Sequence, residues 1–462
     1  MRHHNANTHR PQQRFIRSQR AETDCLTAFN LLTDDLLFEE LERLLPDHRE
    51  RLFPPTETLA MFVTQAMSAD RSCQNAVNQA AIHRLVSGLP QCSTHTGGYC
   101  RARQRLPLEL IRGLTCFLGE QTDQQLPESW RWQGRRVRLV DGTTMTIPDT
   151  AENQAQFPQQ SNQNPGLGFP ICHLVGITCL SSGAILNAAI GPYQGKGANE
   201  QALLRSIEET LECGDILLGD AFFPTYFFID RMMKQGVDIL MEQHGARKRT
   251  TDFRQGKPLG TKDHLIRLNK PKIKPDWIDD TTWKEAPESI TVHEFKSGEK
   301  VMVTTLTCPK TSSKESLKLL YKQRWNVELD IRNIKETMDM NVLSCKTPEM
   351  VIKEIWGYLL AYNLIRFLMV QAAAGAGILP REISFKHSLQ IWLIWSHQAA
   401  NSDESVCVMI CGLIAQRRFG NRAGRVEPRA VKRRPKPYPL LTVPRYEARA
   451  SIRKQGHPKR VK

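Results

Sequence analysis

The sequence has no apolar run long enough to cross a membrane as a helix. Its most apolar stretch, Ile355 to Ala374, is interrupted by Asn363 and Arg366 and reads as a buried helix. Cysteine occurs 12 times but never as a C-x-x-C pair, and no histidine spacing of the zinc type accompanies it. A zinc framework is therefore not expected, and a reduced, cytoplasmic compartment fits best. Cys407 and Cys411 lie in an apolar run and read as core residues. Internal repeats are lacking, so solenoids and propellers are excluded. The first twenty residues are polar and basic, with no apolar segment that would suggest a secretory leader. The group His3, His4 and His9 belongs to this basic leader.

Acidic residues are in short supply. There are 48 Asp and Glu against 63 Lys and Arg, a formal net charge of +15. The excess is uneven: Arg425 to Lys462 holds 13 Lys and Arg against Glu427 and Glu447, a net of +11. A segment of that charge neutralises phosphates and releases counterions, which gives sequence-blind binding to nucleic acid.

With 462 residues and 40% apolar composition, the chain can build more than one packed domain. Residues 1–22 read as a disordered basic leader. Residues 23–134 read as all-helical, with apolar spacing over Leu26 to Leu45, a Pro54-Pro55-Thr56 start before a helix from Glu57 to Leu85, and a helix from Pro107 to Leu118. Arg101, Arg103, Gln104 and Arg105 form a basic cluster that reads either as a DNA-contacting face or as an exposed helix surface. From Arg135 the pattern changes to β-β-β-α-β-α-β. A strand over Val137 to Val140 ends at Asp141, and a Gln/Asn/Pro/Gly-rich loop follows from Asn153 to Gly168. Strands over His173 to Leu180 and Ala184 to Ile190 join through Ser181-Ser182-Gly183. Then come a helix over Asn199 to Leu211, a strand over Asp215 to Leu218 before Gly219-Asp220, a helix over Pro224 to Gln235, and a strand over Val237 to Met241. Residues 244–312 read as a β-rich insertion, 313–375 as helical, 376–424 as a helical C-terminal region, and 425–462 as a basic tail.

Asp141 and Asp220 thus stand at the ends of two expected strands, where a carboxylate is held firmly and can share a hard cation. A pair of divalent ions about 4 Å apart is a known way to break and form phosphodiesters. A helix over Ser316 to Met340 supplies a third acid. On it Tyr321, Arg324, Glu328, Arg332 and Lys335 fall within a sector of about 80°, beside an apolar stripe of Leu320, Val327, Ile331, Ile334 and Met338. One acid among a phenol and three cations suits a metal-held carboxylate flanked by phosphate-gripping groups. A salt-bridged surface helix would alternate its charges more evenly.

Tyr321, Arg324, Glu328 and Lys335, at separations of three, four and seven residues, resemble the Y-R-E-K signature of bacterial insertion-sequence family four. The order of the flanking elements agrees over about residues 135–370. The resemblance implies an α/β ribonuclease-H-like catalytic core, split into residues 135–243 and 313–375 around the β-rich insertion. It implies a DNA transposase that cuts an element at its terminal inverted repeats and joins the 3′ ends to target DNA. Asp141, Asp220 and Glu328 would be catalytic and would ligate two Mg²⁺ or Mn²⁺ ions. Tyr321, Arg324 and Lys335 would grip phosphates, and Arg247 and Lys248 would contact transposon-end DNA; Arg332 joins the phosphate contacts by its place on the same helix face. A homodimer bridging two double-stranded ends is implied, with no membrane partner. Other ribonuclease-H-like nucleases and a catalytically inactive, transposase-derived DNA-binding protein are the alternatives. The chain departs from familiar members in one respect: the strand before the signature helix, Val301-Met302-Val303, lacks the Trp that would stack a flipped base. Trp277 and Trp283 read as packing residues.

Overall fold

The computed structural model describes residues 36–48, 51–86, 88–195, 198–396, 404–418 and 443–455. The expected leader, with His3, His4 and His9, lies outside these residues, as do 425–442 and 456–462 of the basic tail. Along the chain the first helices are α1 (Leu36–Leu44), α2 (Pro55–Met67), α3 (Cys73–Val86), α4 (Gly97–Arg105) and α5 (Leu108–Gln124). The central elements are β1 (Val137–Thr146), α6 (Ala151–Gln156), β2 (Ile171–Cys179), β3 (Ile185–Pro192), α7 (Glu200–Arg205), β4 (Ile216–Gly219), α8 (Tyr226–Gln235) and β5 (Asp238–Glu242). Then follow α9 (Gly245–Lys248), β6 (Lys257–Gly260), β7 (Asp263–Asn269), α10 (Asp280–Glu285), β8 (Ser289–Ser297) and β9 (Lys300–Thr304). The helices α11 (Lys314–Lys322), α12 (Trp325–Arg332), α13 (Pro348–Ala376), α14 (Phe385–Ser396), α15 (Glu404–Gln416) and α16 (Arg445–Gln455) complete it.

The described residues fall into two compact units. The first takes those of Met1–Gln124, Asn333–Cys345 and Glu349–Arg434, and is helical. Its centre is α13, whose most apolar window is 78% buried, as the sequence suggests for this stretch. Asn363 within it donates to the Thr115 carbonyl at 2.8 Å. Cys407 is buried and Cys411 half-buried. Two expectations fail here. The helix from Glu57 to Leu85 is two helices, because Ser68 turns extended and Arg71 leaves the axis to donate to the Met338 carbonyl at 3.0 Å. Arg103 is buried, not on a surface. Its guanidinium donates to Gln65 Oε1 at 3.1 Å and lies 4.7 Å from the Phe62 ring centroid, so aromatic packing and an amide replace water around it.

The second unit, with Gln125–Arg332, Lys346–Pro348 and the described part of Pro435–Lys462, carries a nine-stranded sheet in the order β3-β2-β1-β4-β5-β9-β8-β7-β6. β1, β4 and β5 run parallel, and the remaining neighbours are antiparallel. The expected strand–helix order is present, and the strands of the insertion lengthen the same sheet through β9. Local chemistry sets the boundaries. Gly183, at φ 78°, makes the β2–β3 turn, and Gly236, at φ 74°, ends α8 in the left-handed region. Asn199 caps α7 by accepting from Ala202 N at 2.8 Å.

Three boundaries differ from expectation. β1 continues five residues past Asp141, to Thr146, because the antiparallel pairing with β2 persists after the parallel pairing with β4 ends at Leu139↔Leu218. The helix over Asn199 to Leu211 is a short α7 followed by a 3₁₀ turn, Glu208–Thr210. The single helix over Ser316 to Met340 is α11, α12 and a π turn, Asn333–Thr337. Between α11 and α12 the hydrogen bonds tighten to i→i+3, from Gln323 N to Leu320 O at 2.9 Å and from Arg324 N to Tyr321 O at 3.0 Å.

Candidate active site

The parallel strands set three acids in one row. Leu139 pairs with Leu218, and Leu218 pairs with Leu240, on β1, β4 and β5. Two residues beyond each leucine stand Asp141, Asp220 and Glu242. Strand side chains alternate, so these acids share a face with the leucines. On that face Leu139, Leu218 and Leu240 form one core with Leu317, Leu320 and Val327 of α11 and α12. The row therefore looks toward the helices that carry Tyr321, Arg324 and Glu328.

Arg324 is the link. Its Nη1 lies 3.8 Å from Asp141 Oδ2, and its Nη2 donates to Glu328 Oε1 at 2.8 Å. Burial disfavours its charge, but Glu328, Tyr321 and Asp141 outweigh that and hold it protonated. Tyr321 donates to the Gly219 carbonyl at 3.3 Å, just before Asp220. Burial pushes its phenol up to about 12, so it stays a donor at neutral pH.

The aspartates are short of compensating charge. Burial pushes the Asp141 carboxyl up to about 6; the Gly142 amide and Arg324 pull it down, while Asp220 and Glu200 push it further up. Asp220 is raised for the same first reason, with Glu200 and Glu242 adding to it. Glu242 is the opposite case. Burial raises its carboxyl, but Lys300 at 2.8 Å and Lys248 at 2.9 Å overcome this and hold it low. Among the described residues no three His, Cys, Asp or Glu side chains are close enough to hold one ion together. Glu328 is turned to Arg324.

The remaining sequence candidates are dispersed. Arg332 is exposed at the end of α12, and Lys335 lies on the π turn where the chain enters the first unit. Arg247 makes two bonds, at 3.0 and 3.2 Å, to the buried Glu294, which also accepts from Gln243. Lys248 pairs with Glu242. Trp277 and Trp283 both pack on Phe227, at 6.0 and 5.6 Å between ring centroids, as packing residues do. Sequence reading missed Glu242, Glu200 and Trp325. The repeated Leu-x-acid at the close of three parallel strands would have signalled Glu242. Trp325 follows Arg324 and is 59% exposed.

The chain is similar to known proteins in four matches. A family model described as a transposase DDE domain matches residues 132–364. The transposase InsG for insertion sequence element IS4 of Escherichia coli is 28% identical over 353 residues, 73% of this chain and 77% of the relative. A probable transposase for insertion sequence element IS5377 of Geobacillus stearothermophilus is 21% identical, over 72% of this chain and 82% of the relative. A cryo-EM structure of a piggyBac transposase synaptic complex with hairpin DNA aligns with a TM-score of 0.42 at 10% identity, covering 86% of this chain and 87% of the other.

Proposed function

Given that the chain belongs to the transposases with a DDE domain, metal-dependent enzymes that cut DNA and transfer its strands, we propose that Asp141, Asp220 and Glu328 are its catalytic carboxylates. The observation that carries the assignment is the pairing of Leu139 with Leu218, two residues before Asp141 on β1 and Asp220 just past β4, with Glu328 joined to Asp141 through one guanidinium. The β3-β2-β1-β4-β5 order, antiparallel on one side of β1 and parallel on the other, supports a ribonuclease-H-like core.

The donors fit a divalent cation. They are hard carboxylate oxygens, and the buried aspartate pair lacks the positive charge that would settle it. Two Mg²⁺ or Mn²⁺ ions, when bound, would activate the attacking oxygen and stabilise the leaving one. Asp141, fixed within β1, and Asp220, held by its bond from Phe222 N at 2.9 Å, supply the rigid half of the site. Glu328 supplies the mobile half, because its carboxylate must leave Arg324 to join them. Arg324 is then free to grip a phosphate, with Tyr321, Arg332 and Lys335 as further phosphate contacts. Lys248 serves DNA at the cost of its bond to Glu242, and Arg247 at the cost of its bonds to Glu294. The enzyme acts as a homodimer on two double-stranded ends, in the cytoplasm and beside the nucleoid.

The test is strand cleavage of DNA carrying the element's terminal inverted repeats, with Mg²⁺ or Mn²⁺. Parent protein nicks at the repeat ends, and Asp141→Ala, Asp220→Ala and Glu328→Ala do not. Cleavage at parental rates by these variants would refute the assignment.

A further inference from the structure

Glu200 opens α7, and its Oε1 lies 3.0 Å from His173 Nε2. His173 sits on β2 opposite Thr144 of β1; it is only 8% exposed, and its ring centroid is 5.9 Å from that of Tyr193. Its Nδ1 is buried without a hydrogen-bond partner among the described residues, so the ring is tied on its Nε2 side, to Glu200. On the other side the carboxylate occupies the space that a side chain at position 142 would fill. A Cβ on Gly142 would stand 2.3 Å from Glu200 Oε1 and 2.6 Å from its Cδ. The glycine after Asp141 thus seats a second acid against the β1 backbone.

That acid has no Lys or Arg partner among the described residues, whereas Glu242, at the other end of the row, has two. The Glu200 carboxylate lies against the β1 backbone one residue after Asp141. Gly142 follows Asp141 on the strand and faces the opposite way, so Glu200 lies on the far face of β1 from the carboxylate it influences. An extra negative charge placed there is unfavourable for the metal-free pair and favourable once a cation arrives.

We propose that Glu200, anchored by His173 and seated over Gly142, is a positioning residue that sets how tightly Asp141 and Asp220 hold a divalent cation. This rests on the catalytic assignment of those aspartates. The test is Mn²⁺ titration of the full chain without DNA, by calorimetry or by the free-ion electron spin resonance signal, beside the Mn²⁺ activation curve for nicking. Glu200→Gln weakens Mn²⁺ binding about tenfold and moves the activation curve to higher Mn²⁺, with kcat at saturating ion little changed. Gly142→Ala, which evicts the carboxylate, does the same, and adds nothing in a Glu200→Ala background. Glu200→Asp restores part of the affinity. If Glu200→Gln binds Mn²⁺ as the parent does while Asp141→Asn loses binding, Glu200 has no such role and the aspartate assignment stands. If Asp141→Asn also binds as the parent does, both readings fall.

Discussion

The level match between Asp141 and Asp220 depends on β1 and β4 keeping their register, and one buried ion pair on the opposite face guards it. Arg138 Nε lies 3.0 Å from Asp215 Oδ2, with side chains 3% and 2% exposed. Asp215 Oδ2 also accepts from Glu212 N at 3.1 Å, a neutral donor that remains once the guanidinium is gone. Arg138→Met leaves a carboxylate buried among apolar strands, and breaking such a pair costs about 3–5 kcal/mol. At roughly 2–4 °C per kcal/mol for a unit of this size, melting falls by about 6–20 °C. Arg138→Met with Asp215→Leu removes both charges and recovers most of the loss, since apolar replacement of a whole buried pair is often near neutral. Thermal unfolding followed by circular dichroism, with the double-mutant cycle, measures this. A single variant melting with the parent, or a double variant no better than the single, would show that the pair is not what holds the register.

Other outcomes follow from the same geometry. Asp141 is raised from 3.8 to about 6, so the metal-free fold binds a proton there that the unfolded chain has already released, and stability falls as pH rises across that window. Asp141→Asn therefore melts higher than the parent at pH 7 without metal and equal to it near pH 4; a lower melting point at pH 7 would contradict the burial argument. Tyr321→Phe removes one bond to the Gly219 carbonyl and costs about 1 kcal/mol by urea unfolding. A larger loss would mean that Tyr321 packing, not its hydroxyl, was disturbed. Arg247→Ala takes the guanidinium from the buried Glu294, which keeps Gln243 at 2.7 Å and His264 at 3.1 Å, and lowers stability by about 1–3 kcal/mol, whereas Lys248→Ala leaves the half-buried Glu242 its Lys300 partner and costs under about 1 kcal/mol. Equal losses in the two variants would overturn that contrast.

The sequence made the strand order legible because each element carried its own punctuation, such as Gly183 and Gly236 at positive φ. Expected strand ends and the signature spacing singled out Asp141, Asp220 and Glu328, and the structure brings Asp141 and Glu328 to one guanidinium, that of Arg324. What stayed hidden was set by neighbours distant in sequence. β1 outruns Asp141 because β2 continues to pair with it, and no residue near Val140 announces that. The one-face wheel for Tyr321 to Lys335 assumed an unbroken α-helix, while tightened bonds at Gln323 and Arg324 and the π turn at Asn333–Thr337 change the phase on both sides of Glu328. Arg103 and Arg247 looked like free basic residues because their partners, Gln65 and Glu294, lie 38 and 47 positions away.

The place of β9 bears on how this family can diversify. It returns from the insertion to pair with β5 directly, at Leu240↔Thr304, while β8, β7 and β6 attach outside it. Chain between Glu242 and Lys300 can thus be trimmed or enlarged at an outer border of the sheet while the β5–β9 seam stays closed. Lineages can refit that border in this way while Leu139, Leu218 and Leu240 keep their pairing.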